Sequence, residues 1–462
     1  MIAVIFAIVV VLILVLWHVN RQKTVYDNIF FDNNGTTQPH KAVVQEMASN
    51  AYLGNASSSY AWKAKKKLDD LRNAVLTWCR ADHHKVIITS GASESNNMII
   101  RSLVDYHWRA TPTGKSIGEK PHIILSSIEH KTSLDCASLL REAGRVDVSL
   151  IEPDIYGNID PKKIQAAINN RTILVSIMSA NNEIGNKLPV EAIAAVCKAR
   201  NVPFHTDAVQ TFGKYAPNMQ NISALSMSFH KMNGPQGIGV LVLDNDLAGK
   251  IAGQIAGSQN YHLRGGTENI PAVAGAIKAM EISLKGREDK NKKLLEMKHR
   301  IIENLSKAFI MTPYEKFAGK SDEDAKAIAA TPVNLSVVRN YKKRAPKRLV
   351  ILGPTQNGMP DDNLTNPNTL LLSVMNTRNN AAPYEKFCNI KFKSDLATDH
   401  VIVSIGSACQ TGEKGSSHVL KAIQAPFIIR CGVVRISLGD YNTMAQVDSF
   451  CKKFINDAWL QG

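Results

Sequence analysis

Short apolar runs alternate with helical stretches through the first half of the sequence, and no other feature limits the fold as tightly. The runs are 86–89, 122–126, 146–151, 173–178 and 202–205, with helical segments between most of them. Each is strand-length and bounded by small or polar residues. Strand and helix alternating at this spacing predict an α/β fold with a mostly parallel sheet covered on both faces. Two further strands, 224–228 and 239–243, flank a Gly/Pro turn. Ligands of such sheets sit off the C-terminal strand ends.

The residues closing these runs are therefore the first candidates for chemistry. Ser90-Gly91-Ala92-Ser93-Glu94-Ser95-Asn96-Asn97 places small residues between a strand and a helix, where free backbone N–H groups hold an anion. Ser127-Ile128-Glu129-His130-Lys131, Ser179-Ala180-Asn181-Asn182-Glu183-Ile184-Gly185 and Phe204-His205-Thr206-Asp207-Ala208-Val209-Gln210 close three more runs. Asp207 has three readings: a helix cap, a metal ligand, or the partner of a buried cation. Ser228-Phe229-His230-Lys231 precedes the turn Asn233-Gly234-Pro235. A desolvated lysine at such an edge has a lowered pKa and can form a Schiff base. Ser228 and His230 can offer donors to a phosphate there. Alone, Lys231 reads more readily as a surface residue in a Gly/Pro turn. A carboxylate that keeps a pyridine nitrogen protonated is what pyridoxal phosphate (PLP) needs as an electron sink. A lysine, an acid, a phosphate turn and an imidazole, each at a strand end, make a far better case together than any one alone.

The 462 residues suffice for one large domain and a smaller one, with a boundary near 285–292. Leu294, Met297, Ile301 and Leu305 recur at helical spacing and read as packing. The net charge of +15 is spread, with mild clusters at 63–67 and 342–348 and no interleaved aromatics. That pattern fits a basic surface near a membrane better than base stacking, and direct nucleic-acid binding is not expected. Seven scattered cysteines form no CxxC pair or zinc spacing, as for free thiols in a reducing compartment. The run 2–17 is unbroken and apolar, with Arg21 and Lys23 after it. A cleaved signal peptide and a buried helix are the alternatives. The expectation is a transmembrane anchor over 1–19 and a tether over 20–29. The positive-inside rule then puts the catalytic body on the cytosolic side of a single-pass membrane protein.

Segment 318–367 is the least legible and reads as an elaborated loop with a strand or two. Beyond it, strands are expected at 370–374 and 400–404. Cys409 lies among small and polar residues, Gly406-Ser407-Ala408-Cys409-Gln410-Thr411-Gly412, and is expected to be exposed and mobile. It is either a nucleophile that visits two places or an incidental surface thiol. Arg435 stands inside the apolar run Val434-Arg435-Ile436 and needs an anion, either a substrate carboxylate or a structural acid.

In order along the chain, these motifs resemble the cysteine desulfurases of the class V aminotransferase group, PLP fold type I. Asp32-Asn33-Asn34-Gly35-Thr36-Thr37, Arg264-Gly265-Gly266-Thr267 and the six strand-end or loop motifs around Ser93, His130, Asn182, Asp207, Lys231 and Cys409 carry the resemblance, which spans about 30–454. The resemblance implies that Lys231 carries PLP, Asp207 pairs with the ring nitrogen, Gln210 with the ring hydroxyl, and His130 stacks on the ring. Ala92, Ser93, Ser228 and His230 would surround the phosphate, with Thr267 reaching across from a second subunit of a homodimer. Asn34, Asn182 and Arg435 would bind substrate. Cys409 would accept sulfur from L-cysteine as a persulfide, leaving L-alanine, in the branch with a mobile persulfide loop that serves iron–sulfur cluster assembly or tRNA thiolation. No metal ligand is implied. The domains would be 30–45 (N-terminal part of the small domain), 46–290 (PLP-binding large domain) and 291–462 (small C-terminal domain with the catalytic-cysteine loop).

The chain departs from the pattern in places. Gly35 replaces the usual alanine, Phe229 stands where glycine is common, and Ser179-Ala180 stands where His-Val is frequent. None removes a group that the reaction needs. A selenocysteine lyase or another class V enzyme is the nearest alternative. A catalytically inactive, membrane-tethered interaction protein is the alternative of a different kind. A sulfur-acceptor protein is the expected partner.

Overall fold

The strand Ala224–Ser228 runs beneath the lysine turn and sits near the middle of a seven-stranded sheet. The computed structural model describes residues 25–110, 119–331, 347–356, 358–377, 387–405 and 417–461. The strands lie in the order His84–Thr89, Gly239–Asp244, Ala224–Ser228, Phe204–Asp207, Thr172–Ser176, His122–Ser126, Asp147–Ile151. All pairs are parallel except those made by Gly239–Asp244, which is antiparallel to both neighbours. The reason is chain length. The connection from Ser228 to Gly239 is too short for the crossover of a dozen or more residues that a parallel return requires. The other six strands therefore point the same way, and their C-terminal ends share one edge.

Helices cover both faces. Trp62–Cys79 buries Ala64, Leu68, Leu71, Val75 and Cys79, spaced as one helical face, and stops at Arg80 in a left-handed conformation (φ 51°). Ile270–Leu284 starts at the Asn269 cap and is buried along most of its length.

A second, four-stranded sheet takes the order Val433–Ser437, Thr369–Asn376, Lys347–Leu352, Ile310–Met311. Its core joins Leu349, Leu372 and Ile436 to Leu294, Met297, Ile301 and Leu305 of the helix Arg287–Ser306, and to Phe450 and Phe454 of the helix Met444–Leu460. The periodic apolar residues read from sequence are thus the packing face of that helix. Phe31 joins the same core, because Ile29–Phe30 pairs in parallel with Val401–Ile402. The segment 318–367, read from sequence as an elaborated loop with a strand or two, contains the helix Asp322–Ala330, capped by Ser321.

The mostly parallel α/β architecture agrees with the sequence reading. The N-terminal transmembrane helix, and the single-pass membrane localisation drawn from it, are corrected. No helix among the described residues is long and apolar enough to cross a membrane. Spanning takes about 20 predominantly apolar residues. Arg287–Ser306 has the length but is heavily charged, while the apolar Ile270–Leu284 is only 15 residues long. Residues 1–24, whose hydropathy alone carried the expectation, lie outside the described residues.

Candidate active site

At the shared strand edge lies a cavity of about 450 Å³. Its floor is built by strand ends. Asp207 is the last residue of Phe204–Asp207 and is buried. Its Oδ2 accepts from Asn96 Nδ2 (2.7 Å) and its Oδ1 from the Val209 N–H (3.0 Å). Beneath it, His205 bonds through Nδ1 to Ser176 Oγ and through Nε2 to Ser226 Oγ, both at 2.8 Å, tying three strands together. Burial drives the His205 imidazole down to about 3, so it is neutral.

Lys231 ends the short 3-10 turn Phe229–Lys231. Its Nζ donates to the carbonyls of Asn34 (2.5 Å) and Gly35 (2.6 Å). Burial, and after it the charge of Arg435, draws its amine down to about 8. A sizeable neutral fraction is then present near neutral pH, which is what a nucleophilic amine requires. His230, beside it, bonds to Thr36 Oγ1 (3.1 Å), and burial lowers its ring to about 4.

His130 caps the helix Lys131–Glu142: its Nδ1 accepts from the Thr132 N–H (3.2 Å). With Nδ1 used as an acceptor, the neutral ring carries its proton on Nε2. Burial holds this imidazole below its usual value, with Asp207 opposing.

The opposite wall is the start of the 19-residue helix Ala92–Ala110. The Ala92 N–H donates to Ser228 Oγ (3.2 Å), while Ser93 and Gly91 line the cavity. Gly91 has φ +153°, and a Cβ on Gly239 would stand 2.6 Å from Gly91 Cα. Two glycines are needed for strand and helix start to approach this closely. Arg264 engages Glu94 at 2.9 Å, occupying the one acidic side chain of this first turn.

Asn181 makes the turn that presents Asn182: its Oδ1 accepts from the N–H groups of Glu183 (2.8 Å) and Ile184 (3.1 Å). Asn182, Asn34 and Gln210 line the cavity with Asp207, His130 and Lys231. The Asn34 amide, however, is committed to the scaffold, donating to Thr369 Oγ1 (2.8 Å) and accepting from Asn368 Nδ2 (3.0 Å). Arg435 lies just outside the lining and is paired with Asp32 at 2.6 Å. Thr267 is on the surface, accepting from Asn55 Nδ2 at 3.5 Å, and does not line this cavity. Cys409 lies outside the described residues. The flanks of its segment are tied to the site. Ser404 exchanges backbone hydrogen bonds with Arg435, Ser417 Oγ donates to Glu183 Oε2 (2.6 Å), and His418 Nε2 bonds the Glu129 carbonyl (2.9 Å).

A family profile described as aminotransferase class V matches residues 29–335. A curated cysteine desulfurase IscS of Clostridium botulinum (strain Hall) is 31% identical over 427 residues, covering 91% of each chain. The chain belongs to this cysteine desulfurase family. A cysteine desulfurase IscS of Methanosarcina thermophila is also 31% identical, over 91% of this chain and 89% of its own. Among solved structures, a NifS-like protein superposes with a TM-score of 0.71 at 26% identity, over 93% of this chain and 98% of its own.

Desulfurases of this family depend on PLP, and the side chains here fit that group. A helix start with hydroxyl neighbours suits its phosphate. A buried carboxylate suits a ring N–H, and a half-buried lysine suits its carbonyl carbon. The sequence alone points to no role for Asn96, Thr132 or Glu129. Asn96 was within reach, since it lies four residues after Ala92 on the helix that opens the anion turn.

Proposed function

We propose that this protein is a PLP-dependent cysteine desulfurase that moves the sulfur of L-cysteine to Cys409. The observation that carries the reading is the meeting of Lys231, its amine drawn to about 8, with the buried Asp207 and with His130 around one cavity. In this reading Lys231 holds the cofactor, Asp207 faces the ring nitrogen, Gln210 the ring hydroxyl and His130 the ring. Ala92, Ser93, Ser228 and His230 surround the phosphate. When bound, PLP supplies the electron sink that lets a bond at the substrate β-carbon break.

The chain's own residues do the rest. Asn96 and the Val209 N–H keep the Asp207 carboxylate aimed. Lys231 moves protons at the substrate carbons as a neutral amine. Asn182 and Arg435 hold the substrate carboxylate, with Asn34 beneath them. The Cys409 thiolate attacks the substrate sulfur. The carbon–sulfur bond breaks, a sulfur–sulfur bond forms, and the β-carbon takes a proton. L-cysteine and a thiol thus become L-alanine and a persulfide, with no other reactant.

Thr267 completes the phosphate site of a second copy in a homodimer. Residues 46–290 form the cofactor-binding domain, and 30–45 with 291–462 the smaller one. The persulfide then passes to an acceptor protein for iron–sulfur cluster assembly or tRNA thiolation. The IscS names of the relatives favour the first.

The test is the purified full-length, PLP-loaded protein given L-cysteine. Alanine should form and Cys409 should gain one sulfur by mass spectrometry. Cys409→Ser should keep the cofactor and lose sulfur transfer. No alanine from wild type, or a persulfide formed only on another cysteine, would overturn the proposal.

A further inference from the structure

Arg435 is a buried cation beside the cavity, and its backbone is fixed. It pairs with Leu371 across the four-stranded sheet, and on its other side exchanges hydrogen bonds with Ser404 at 2.7 and 3.1 Å. Only the side chain is left to move. Its Nη2 donates to Asp32 Oδ1 (2.6 Å), its Nη1 to the Asn182 carbonyl (3.0 Å), and its buried Nε has no partner. A carboxylate is held bidentately by two parallel N–H donors of a guanidinium. The Nε–Nη2 edge is such a fork, and Asp32 occupies only one of its two tines.

A second observation concerns the room that Asp32 uses. A Cβ on Gly35 would lie 2.9 Å from Asp32 Oδ2 and 3.2 Å from both its Cγ and its carbonyl oxygen. Gly35 has no positive φ, so its backbone conformation does not call for glycine. The space beside Asp32, its carboxylate foremost, does. Among the described residues Arg435 is the only ion-pair partner of Asp32.

We infer that Asp32 is a positioning residue that holds Arg435 outside the cavity and yields it to the α-carboxylate of an incoming amino acid. Gly35 makes this pose possible. The inference rests on Arg435 being the group that receives the substrate carboxylate. Any ligand with that carboxylate, substrate or alanine product, must compete with an internal one. Its apparent affinity is reduced by the fraction of Arg435 that is free. A ligand without a carboxylate is indifferent to the exchange.

The test uses the full-length, PLP-loaded enzyme and the variants D32N, G35A and R435K. D32N removes the competing charge, and G35A displaces it while keeping every charged group. Both should lower the KM for L-cysteine about tenfold. Calorimetric titration should show L-alanine tightening in parallel, while cysteamine, which lacks the carboxylate, binds as to wild type. Unchanged or weaker alanine binding in both variants would overturn the inference, as would a shift for cysteamine as large as that for alanine. R435K separates the two claims. If R435K weakens alanine but D32N and G35A do not tighten it, only the role of Asp32 is lost. If R435K leaves alanine binding unchanged, Arg435 is not the carboxylate receptor and both fall.

Discussion

Asn96 donates from Nδ2 to Oδ2 of Asp207 across 2.7 Å, with both side chains buried. The same amide also reaches Thr132 Oγ1 at 3.2 Å, on the helix that His130 caps. One side chain therefore couples the acid beneath the cavity to the imidazole at its rim. A hydrogen bond to a charged group contributes about 1.5–3 kcal/mol, so Asn96→Ala should weaken PLP binding by about 10–100-fold. Titration of cofactor-free protein with PLP, followed by absorbance, measures this. A loss below about twofold would leave Asn96 no role in aiming Asp207.

Lys231 makes the stability of the cofactor-free protein depend on pH. Its folded value of about 8 lies below the ~10.4 of an unfolded lysine. Between those values the unfolded chain binds a proton that the folded, cofactor-free protein lacks. Stability from this group therefore rises with pH across that window. Lys214, also drawn to about 8 by burial, adds the same sign. Denaturant titrations of cofactor-free protein at pH 7.5–9.5 should show the rise, and Lys231→Met should flatten it in part. Equal slopes for both proteins would mean that the amine is not desolvated.

Glu129 works in the opposite sense. It is fully buried, with Oε1 accepting from Ser126 Oγ (2.5 Å) and the Met178 N–H (2.9 Å) and Oε2 unpartnered. Burial raises its carboxyl to about 8. The folded protein then keeps a proton that the unfolded chain releases above ~4.3, and stability from this group falls as pH rises from there to about 8. Glu129→Gln should leave the melting temperature unchanged at pH 5 and raise it at pH 8. A variant less stable than wild type at pH 8 would argue for an ionised, paired carboxylate.

At Gly239 the prediction is steric. A Cβ there would meet Met227 O at 2.5 Å and Gly91 Cα at 2.6 Å, both backbone atoms that cannot swing aside. Gly239→Ala should cost about 1–3 kcal/mol and, by pushing Gly91 away, reduce PLP retention. Gly249→Ala, whose Cβ would have its nearest neighbour at 3.7 Å, is the tolerant control. Thermal melts and cofactor content of the two variants decide it.

The strands were legible where apolar residues are continuous. The readings 122–126 and 224–228 coincide with His122–Ser126 and Ala224–Ser228. They drifted where chemistry intrudes: 202–205 is Phe204–Asp207, because the acid that serves the cavity is also the last strand residue. The helix Asp322–Ala330 was hidden by the Gly/Lys setting around it, although Ser321 and three acids in its first turn are a start signal. Lys347–Leu352 begins with two buried cations, which masked its first residues. Composition announced that the cation at position 435 required an anion, but only the three-dimensional arrangement gives it to Asp32. Likewise nothing local marks Asn34 as a scaffold amide, since its partners Asn368 and Thr369 lie more than three hundred positions away.

The pairing of Ile29–Phe30 with Val401–Ile402, and of the Asn34 N–H with Ser437 Oγ at 2.9 Å, carries a consequence for biosynthesis. On the ribosome the Asn34 segment is made 403 residues before Ser437. The newborn chain can assemble its seven-stranded sheet, and with it the cradle around Ser228 and Ala92, while its leading segment still waits for a mate. Maturation would thus come in two stages, with the Asn34 segment docking only after the strand Val433–Ser437 has left the exit tunnel.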